Sequence, residues 1–156
     1  MTGFSYRGGE LFCEGARAEE LATGYGTPLY VYSQNGILNS FDAVCRAFAE
    51  ASPIVAFSVK SCSTLAVLEL LRTRGAGFDI VSGGELIRAL RAGADPRKIV
   101  FSGVGKTDAE IRMGLENDIL MFNVESEAEL DRIQILAAEL DTVAPVAIRL
   151  NPDVDA

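Results

Sequence analysis

The sequence predicts an α/β fold, a parallel sheet of about five strands forming part of a TIM-type (β/α)8 barrel, and three observations predict it. From residue 54 onward, short β-rich runs alternate with apolar stretches at helical spacing. The helix starts carry a Ser/Thr-x-x-Glu signature in phase with that alternation. Charged and polar side chains fall on one face of three of the strands, and the other face is apolar.

Residues 1–50 form an irregular lead-in. Phe4–Glu14 is weakly β and broken by glycine, Ala18–Gly24 suits a short helix, and Pro28–Tyr32 reads as a strand. Ile37–Glu50 is amphipathic at helical spacing and stops at Ser52-Pro53. The repeat then begins with the run Ile54–Lys60 and a helix carrying Leu65, Leu68 and Leu71, which stops at Gly75. Phe78–Val81 is the next strand, followed by a helix with Leu86, Ile87 and Leu90 that ends near Gly93. Lys98–Ser102 precedes a helix through Ile111 and Leu115, and Ile119–Val124 precedes a longer one with Leu130, Ile133, Ala137 and Leu140. Pro145–Leu150 is the fifth strand. Ser82…Glu85, Thr107…Glu110 and Ser126…Glu129 each match a capping box. Single helices between strands imply right-handed crossovers and a parallel sheet.

Two architectures fit. A doubly wound, flavodoxin-like sheet is complete at 156 residues, whereas a (β/α)8 barrel takes roughly 250. Strand chemistry favours the barrel wall. Ala56, Ser58 and Lys60 share one face, as do Ala147, Arg149 and Asn151, and Asp79 opposes Phe78 and Ile80. A doubly wound sheet is covered on both faces and runs apolar throughout. One polar face suits an interior that holds a polar ligand.

Composition narrows the chemistry. A formal charge of −8, with 14 dispersed basic residues, argues against a nucleic-acid partner. No run nears the about 20 apolar residues of a membrane span, and the N-terminus lacks a signal-peptide core, so the expected compartment is the cytoplasm. Cys13, Cys45 and Cys62 are far apart, which suits reduced thiols and neither a disulfide framework nor a zinc site. Histidine is absent, which removes the commonest general base and imidazole metal ligands. Chemistry then falls to Lys, Asp, Glu, Tyr, Cys or a bound cofactor.

Lys60 is the sharpest candidate. An inward lysine at a strand end loses hydration, which favours the neutral amine a Schiff base needs; alternatively it reaches out to solvent. Gly103-Val-Gly-Lys-Thr107 looks like a phosphate loop but fails the GxxxxGK[ST] spacing, so Thr107 reads as a helix cap, with Lys106 bordering a ligand mouth as the lesser reading. Ser82-Gly-Gly-Glu85 reads as a capped helix start in preference to an anion site. Cys62 reads as a small half-buried residue. The carboxyl ends of the strands also offer Ser82, Ser102, Asn123 and Asn151.

Taken together, Thr27–Tyr32, Phe57–Lys60, Gly77–Leu86, Lys98–Gly103, Asn123–Ser126 and Ile148–Pro152 resemble, in order, segments of the diaminopimelate decarboxylase family. The resemblance covers about Gly9 to Pro152, and its Gly-Phe-Asp-x-x-Ser-Gly-Gly-Glu block is specific. It implies an alanine-racemase-like barrel that uses pyridoxal 5'-phosphate. Lys60 would hold the cofactor as a Schiff base, Asp79 and Arg149 would line its site, and Ile37–Glu50 would pack outside the barrel. The implied reaction removes the carboxylate at the D-configured centre of meso-diaminopimelate to give lysine. The implied partners are a small amino-acid substrate and a second subunit in a homodimer, with no nucleic acid and no membrane. Residues 1–32 would belong partly to a second β-domain and residues 33–156 to the front of the barrel.

The chain departs from the family pattern after the lysine, where Ser61-Cys62 replaces the usual Ala-Asn. The family's ring-stacking histidine, glycine-rich phosphate cradle, pyridine-pairing glutamate and C-terminal β-domain would all lie beyond Ala156. The expectation is therefore an N-terminal fragment that does not itself turn over substrate. Two other readings stay open: a related ornithine, arginine or carboxypolyamine decarboxylase, and a non-catalytic doubly wound binding module.

Overall fold

A computed structural model describes residues 3–150 and Pro152. The chain forms two compact units, Met1–Pro53 and Ile54–Ala156.

The first unit carries a small antiparallel sheet of β1 (Phe4–Arg7), β2 (Glu10–Cys13) and β3 (Ala16–Arg17) in that spatial order. Gly8 and Gly9 close the first hairpin with φ of 59° and 86°. Two consecutive positive φ angles define the two-residue turn whose twist matches the strands, and glycine takes them without strain. Two helices follow, α1 (Ala18–Tyr25) and α2 (Gln34–Ala47). The start of α2 is clamped: Ser33 accepts from Gly36 N at 2.8 Å, and the Glu14 carboxylate accepts from Ser33 Oγ and Asn35 N, each at 2.8 Å. The Asn35 amide, followed by the Ser33 hydroxyl, holds the Glu14 carboxyl below its usual range. The predicted strand over 28–32 is not formed. The segment belongs to neither sheet among the described residues, and Leu29, Tyr30 and Tyr32 are exposed. A strand needs a neighbour to bond with, which a periodic sequence does not supply.

The second unit alternates as the sequence reading expects: β4 (Ala56–Ser58), α3 (Leu65–Arg72), β5 (Gly77–Ile80), α4 (Gly83–Arg91), β6 (Ile99–Phe101), α5 (Asp108–Glu116), β7 (Met121–Val124), α6 (Glu127–Glu139) and β8 (Val146–Ile148). The strands are all parallel and lie in the order β4-β5-β6-β7-β8. That order decides the architecture. A doubly wound sheet reverses direction once and so places helices on both faces. Here each strand sits beside its predecessor, and the right-handed crossover rule puts every helix on the same face.

Burial agrees with this topology. Phe78, Ile80, Ile99, Phe101, Phe122 and Val124 project to the helix-covered face and are buried. Phe101 and Phe122 stack there with centroids 5.9 Å apart, and each such side chain contributes roughly 1.5–3 kcal/mol on burial. On the opposite face Ser58, Asp79, Val100, Ser102, Met121, Asn123 and Ala147 are only half-buried. The sheet is a stretch of barrel wall, and the barrel is not closed: among the described residues β4 and β8 each pair on one side only.

The strands are shorter than their apolar runs. β4 ends at Ser58 and a 3₁₀ turn takes Val59–Ser61, so the expected strand through Lys60 stops two residues early. β8 is Val146–Ile148, leaving Arg149 outside it. Parallel pairing sets these limits: the β4–β5 register runs from Ala56↔Gly77 to Ser58↔Asp79, and a residue beyond it has no ladder to join. Only one expected capping box is reciprocal. Thr107 accepts from Glu110 N, and Glu110 accepts from Thr107 N at 3.0 Å. Ser82 and Ser126 cap α4 and α6, but Glu85 and Glu129 reach one residue further back, to Val81 N (2.8 Å) and Glu125 N (2.7 Å). Both serines sit near φ −157°, against −77° for Thr107. This more extended entry brings the preceding amide to the glutamate. No helix among the described residues is long and apolar enough to cross a membrane.

Candidate functional site

The carboxyl ends of β4 to β7 carry one continuous polar chain on the open face. Asp79, near the end of β5, accepts from Ser58 Oγ at 3.2 Å and from Ser102 Oγ at 2.5 Å. Ser102, just past β6, in turn accepts from Asn123 Nδ2 at 2.9 Å. Register explains the meeting. Ser58 is directly opposite Asp79, and Asp79 opposite Val100, so Ser102 is the next residue of that face. Because Asn123 donates to Ser102, the Ser102 hydroxyl proton is left for Asp79. Both serines thus donate to one carboxylate, and the asparagine reaches it only through Ser102.

Lys60 lies in the 3₁₀ turn two residues beyond Ser58 and is exposed. These residues therefore do not bury its amine, contrary to the expectation of an inward, desolvated lysine. The early end of β4 is the cause: strand alternation stops at Ser58, and it is Val59 that turns into the core. Among the described residues Lys60 has no hydrogen-bond or ion-pair partner. Its neighbour Ser61 donates to Ser58 O at 2.7 Å, closing the turn, and Cys62 is half-buried.

Arg149 follows β8. Its Nη1 donates to Glu125 Oε1 at 2.9 Å, with Arg149 56% and Glu125 18% exposed. Three strand spacings of about 4.8 Å separate β5 from β8, roughly 14 Å along a flat sheet, so Asp79 and Arg149 share an end of the sheet and not a contact. Asn151 lies outside the described residues. Ser82 serves as the α4 cap, and Gly83 N, the amide an anion would have used, donates to Glu110 Oε1 at 2.8 Å.

Lys106 overturns its sequence reading. It does not border a mouth: its side chain is 1% exposed, with all three donors used, to Gly103 O (2.8 Å), Asn123 O (2.8 Å) and Glu129 Oε1 (2.7 Å). Gly103 and Gly105, at φ 86° and 71°, fold the β6–α5 turn tightly enough to bring it inward. Sequence reasoning put Ser58 on the inward face and Glu129 in a capping box without joining either to this end of the sheet, and it missed Glu125. The register of β4 with β5 joins Ser58 to Asp79; nothing local marks Glu125.

The donor set is compatible with a cofactor that carries an aldehyde and a polar ring. The carboxyl end of the sheet carries an exposed lysine amine after β4, a carboxylate ordered by two hydroxyls, and, after β8, a guanidinium paired with Glu125, with no metal-binding cluster among the described residues. A lysine at the carboxyl end of a strand in a parallel barrel wall places the chain among barrel enzymes whose site lies at that end. Comparison with known proteins gives the family. Residues 36–156 match the model described as "Pyridoxal-dependent decarboxylase, pyridoxal binding domain", and the chain belongs to that family. It is 53% identical to a diaminopimelate decarboxylase of Pseudomonas aeruginosa over the whole chain and 38% of that protein. It is 50% identical to that of Aquifex aeolicus over 96% of the chain and 35% of that protein. The crystal structure of diaminopimelate decarboxylase from M. jannaschii in complex with L-lysine superposes with a TM-score of 0.94 at 41% identity, covering 99% of this chain and 38% of that one. The chain thus spans well under half the length of these relatives.

Proposed function

We propose that this chain is the cofactor-anchoring part of a pyridoxal 5'-phosphate-dependent decarboxylase that converts meso-2,6-diaminopimelate to L-lysine. The observation that carries the reading is the unpartnered Lys60 amine at the carboxyl end of β4, beside the strand end where Ser58 meets Asp79. The named relatives at 50–53% identity add the substrate. Lys60 is the covalent anchor, Asp79 presents its carboxylate along the open face, and Arg149 supplies a cation at the far end of the same row. When bound, the cofactor draws in the electron pair left as carbon dioxide departs. The open polar face holds and orients the substrate-bearing group. The apolar face behind it keeps the strands fixed.

We further propose that residues 1–32 belong partly to a second β-domain and residues 33–156 to the front of the barrel, with a homodimer as the full-length assembly and a cytoplasmic setting. Structures named as arginine decarboxylase share the fold at 18% identity, which does not speak to substrate. The test is to mix the purified chain with pyridoxal phosphate, reduce with borohydride and map the adduct. A modification confined to Lys60, and lost in Lys60→Ala, is expected; a spread over surface lysines defeats the assignment. Residues 1–156 alone should release no carbon dioxide from meso-diaminopimelate.

A further inference from the structure

We infer that the buried Lys106–Glu129 pair is the positioning device for this end of the sheet, holding Asp79 and Arg149 through two separate arms. One arm runs from Lys106 Nζ to Asn123 O (2.8 Å), and through the Asn123 side chain to Ser102 (2.9 Å) and on to Asp79 (2.5 Å). The other runs from Glu129, which accepts from Glu125 N at 2.7 Å, through the Glu125 carboxylate to Arg149 at 2.9 Å. The two arms meet where Lys106 and Glu129 bond at 2.7 Å, with side chains 1% and 10% exposed. Lys106 also lies 5.7 Å from the centre of the Phe101 ring, on the strand that leads to Ser102. A capping box alone does not call for this arrangement, since α5 is completed by Thr107 and Glu110 without Lys106. Burying a pair of charges is a weak source of stability but fixes geometry wherever every bond is satisfied. Here Lys106 uses all three of its donors, and both Glu129 oxygens are occupied.

Lys106 and Glu129 are therefore positioning residues: neither touches the reacting group, and both act through Asn123, Ser102 and Glu125. This rests on the reading of Asp79 and Arg149 as cofactor-site residues. The test compares the wild-type chain, Lys106→Met, Glu129→Gln and, as a control of purely packing character, Ile133→Val. Two readouts are taken. Side-chain NMR follows exchange protection of the Asn123 carboxamide and the Arg149 guanidinium without cofactor. A titration with pyridoxal phosphate, followed by reduction, gives the dissociation constant for the Lys60 adduct. Both signals are expected to lose protection in Lys106→Met and Glu129→Gln and to keep it in Ile133→Val. Cofactor affinity is expected to fall between about 2-fold and 30-fold in the pair variants, the range for residues that act through a network. Should Lys106→Met not fold, Glu129→Gln, which keeps the size and the carbonyl acceptor, decides the matter. Unchanged protection in a folded pair variant overturns the inference. So does an affinity no lower than that of the control. If wild type and Lys60→Ala take up cofactor alike, the cofactor reading falls, and the exchange readout still decides whether the pair holds both arms.

Discussion

At the scale of single residues, the Ser102–Asp79 contact is the sharpest feature of the polar face. The hydroxyl gives Asp79 its 2.5 Å bond and receives Asn123 at 2.9 Å, so Ser102→Ala strands a donor and weakens an acceptor together. Leaving a part-buried polar group unpaired costs about 1–3 kcal/mol, whereas losing an ordinary bond costs about 1 kcal/mol. Urea denaturation should therefore rank Ser102→Ala as more destabilising than Ser58→Ala, whose bond to Asp79 is 3.2 Å long. Equal losses would mean that the chain of bonds is not organised around Ser102. This ordering was only partly legible in the sequence. Asp79 could be placed on the polar face of its strand and Ser102 and Asn123 at strand ends, but their meeting depends on register, which one-dimensional patterning leaves open. Lys106 was less legible still, because a lysine between glycines and a helix cap has the local look of a solvated turn.

Glu110 works at the scale of elements, joining two helices. It completes the capping box of α5 and also accepts from Gly83 N, the first residue of α4, at 2.8 Å. Thr107→Ala should cost about 1 kcal/mol, the usual value of an N-cap. Glu110→Ala should cost roughly 2 kcal/mol, since the buried Gly83 amide loses its acceptor too. A double-mutant cycle in urea should show the two losses to be non-additive; simple additivity would separate the cap from the interhelix bond.

The Glu110 carboxyl is held below its ordinary value near 4.5, first by the Gly83 amide and then by that of Thr107. A depressed carboxyl favours folding above its unfolded pKa, and the contribution fades as pH falls from about that value through the lower, folded one. Glu110→Gln should therefore flatten the acid limb of stability below about pH 4.5 in stability measurements across pH, with little change in slope at neutral pH. An unaltered acid limb would assign that loss to other carboxyls. The helices and the strands of this unit were legible because their apolar periods differ, 3.6 against 2. The partner of each N3 glutamate was not, since it turns on whether the cap residue enters near φ −77° or −157°.

For the whole molecule, the consequence lies at the sheet edges. Right-handed βαβ winding could be read from the alternation and the open polar face from the charges on the strands, but the alternation alone left the strand order open between a barrel wall and a doubly wound sheet. What the alternation does not say is how the ends of the row are covered. β8 pairs only with β7 among the described residues, and Val146 and Ile148 on it are exposed at 41% and 69%. Beside it an apolar cleft of about 300 Å³ opens between α6 and β8, lined by Leu130, Ile133, Ala137, Val143 and Val146. An unpaired edge with apolar side chains is a template for another strand. Purified as these 156 residues, the protein should self-associate with rising concentration in sedimentation velocity. A charge on an edge strand is the usual guard against such pairing, so Ile148→Lys should shift the distribution to monomer while leaving the far-ultraviolet dichroism unchanged. The Lys60 adduct should form in that variant as in wild type, because Ile148 lies on the face away from Asp79 and Asn123. If Ile148→Lys still associates, the contact runs through another surface, and β4, the opposite edge, is the next to carry the charge.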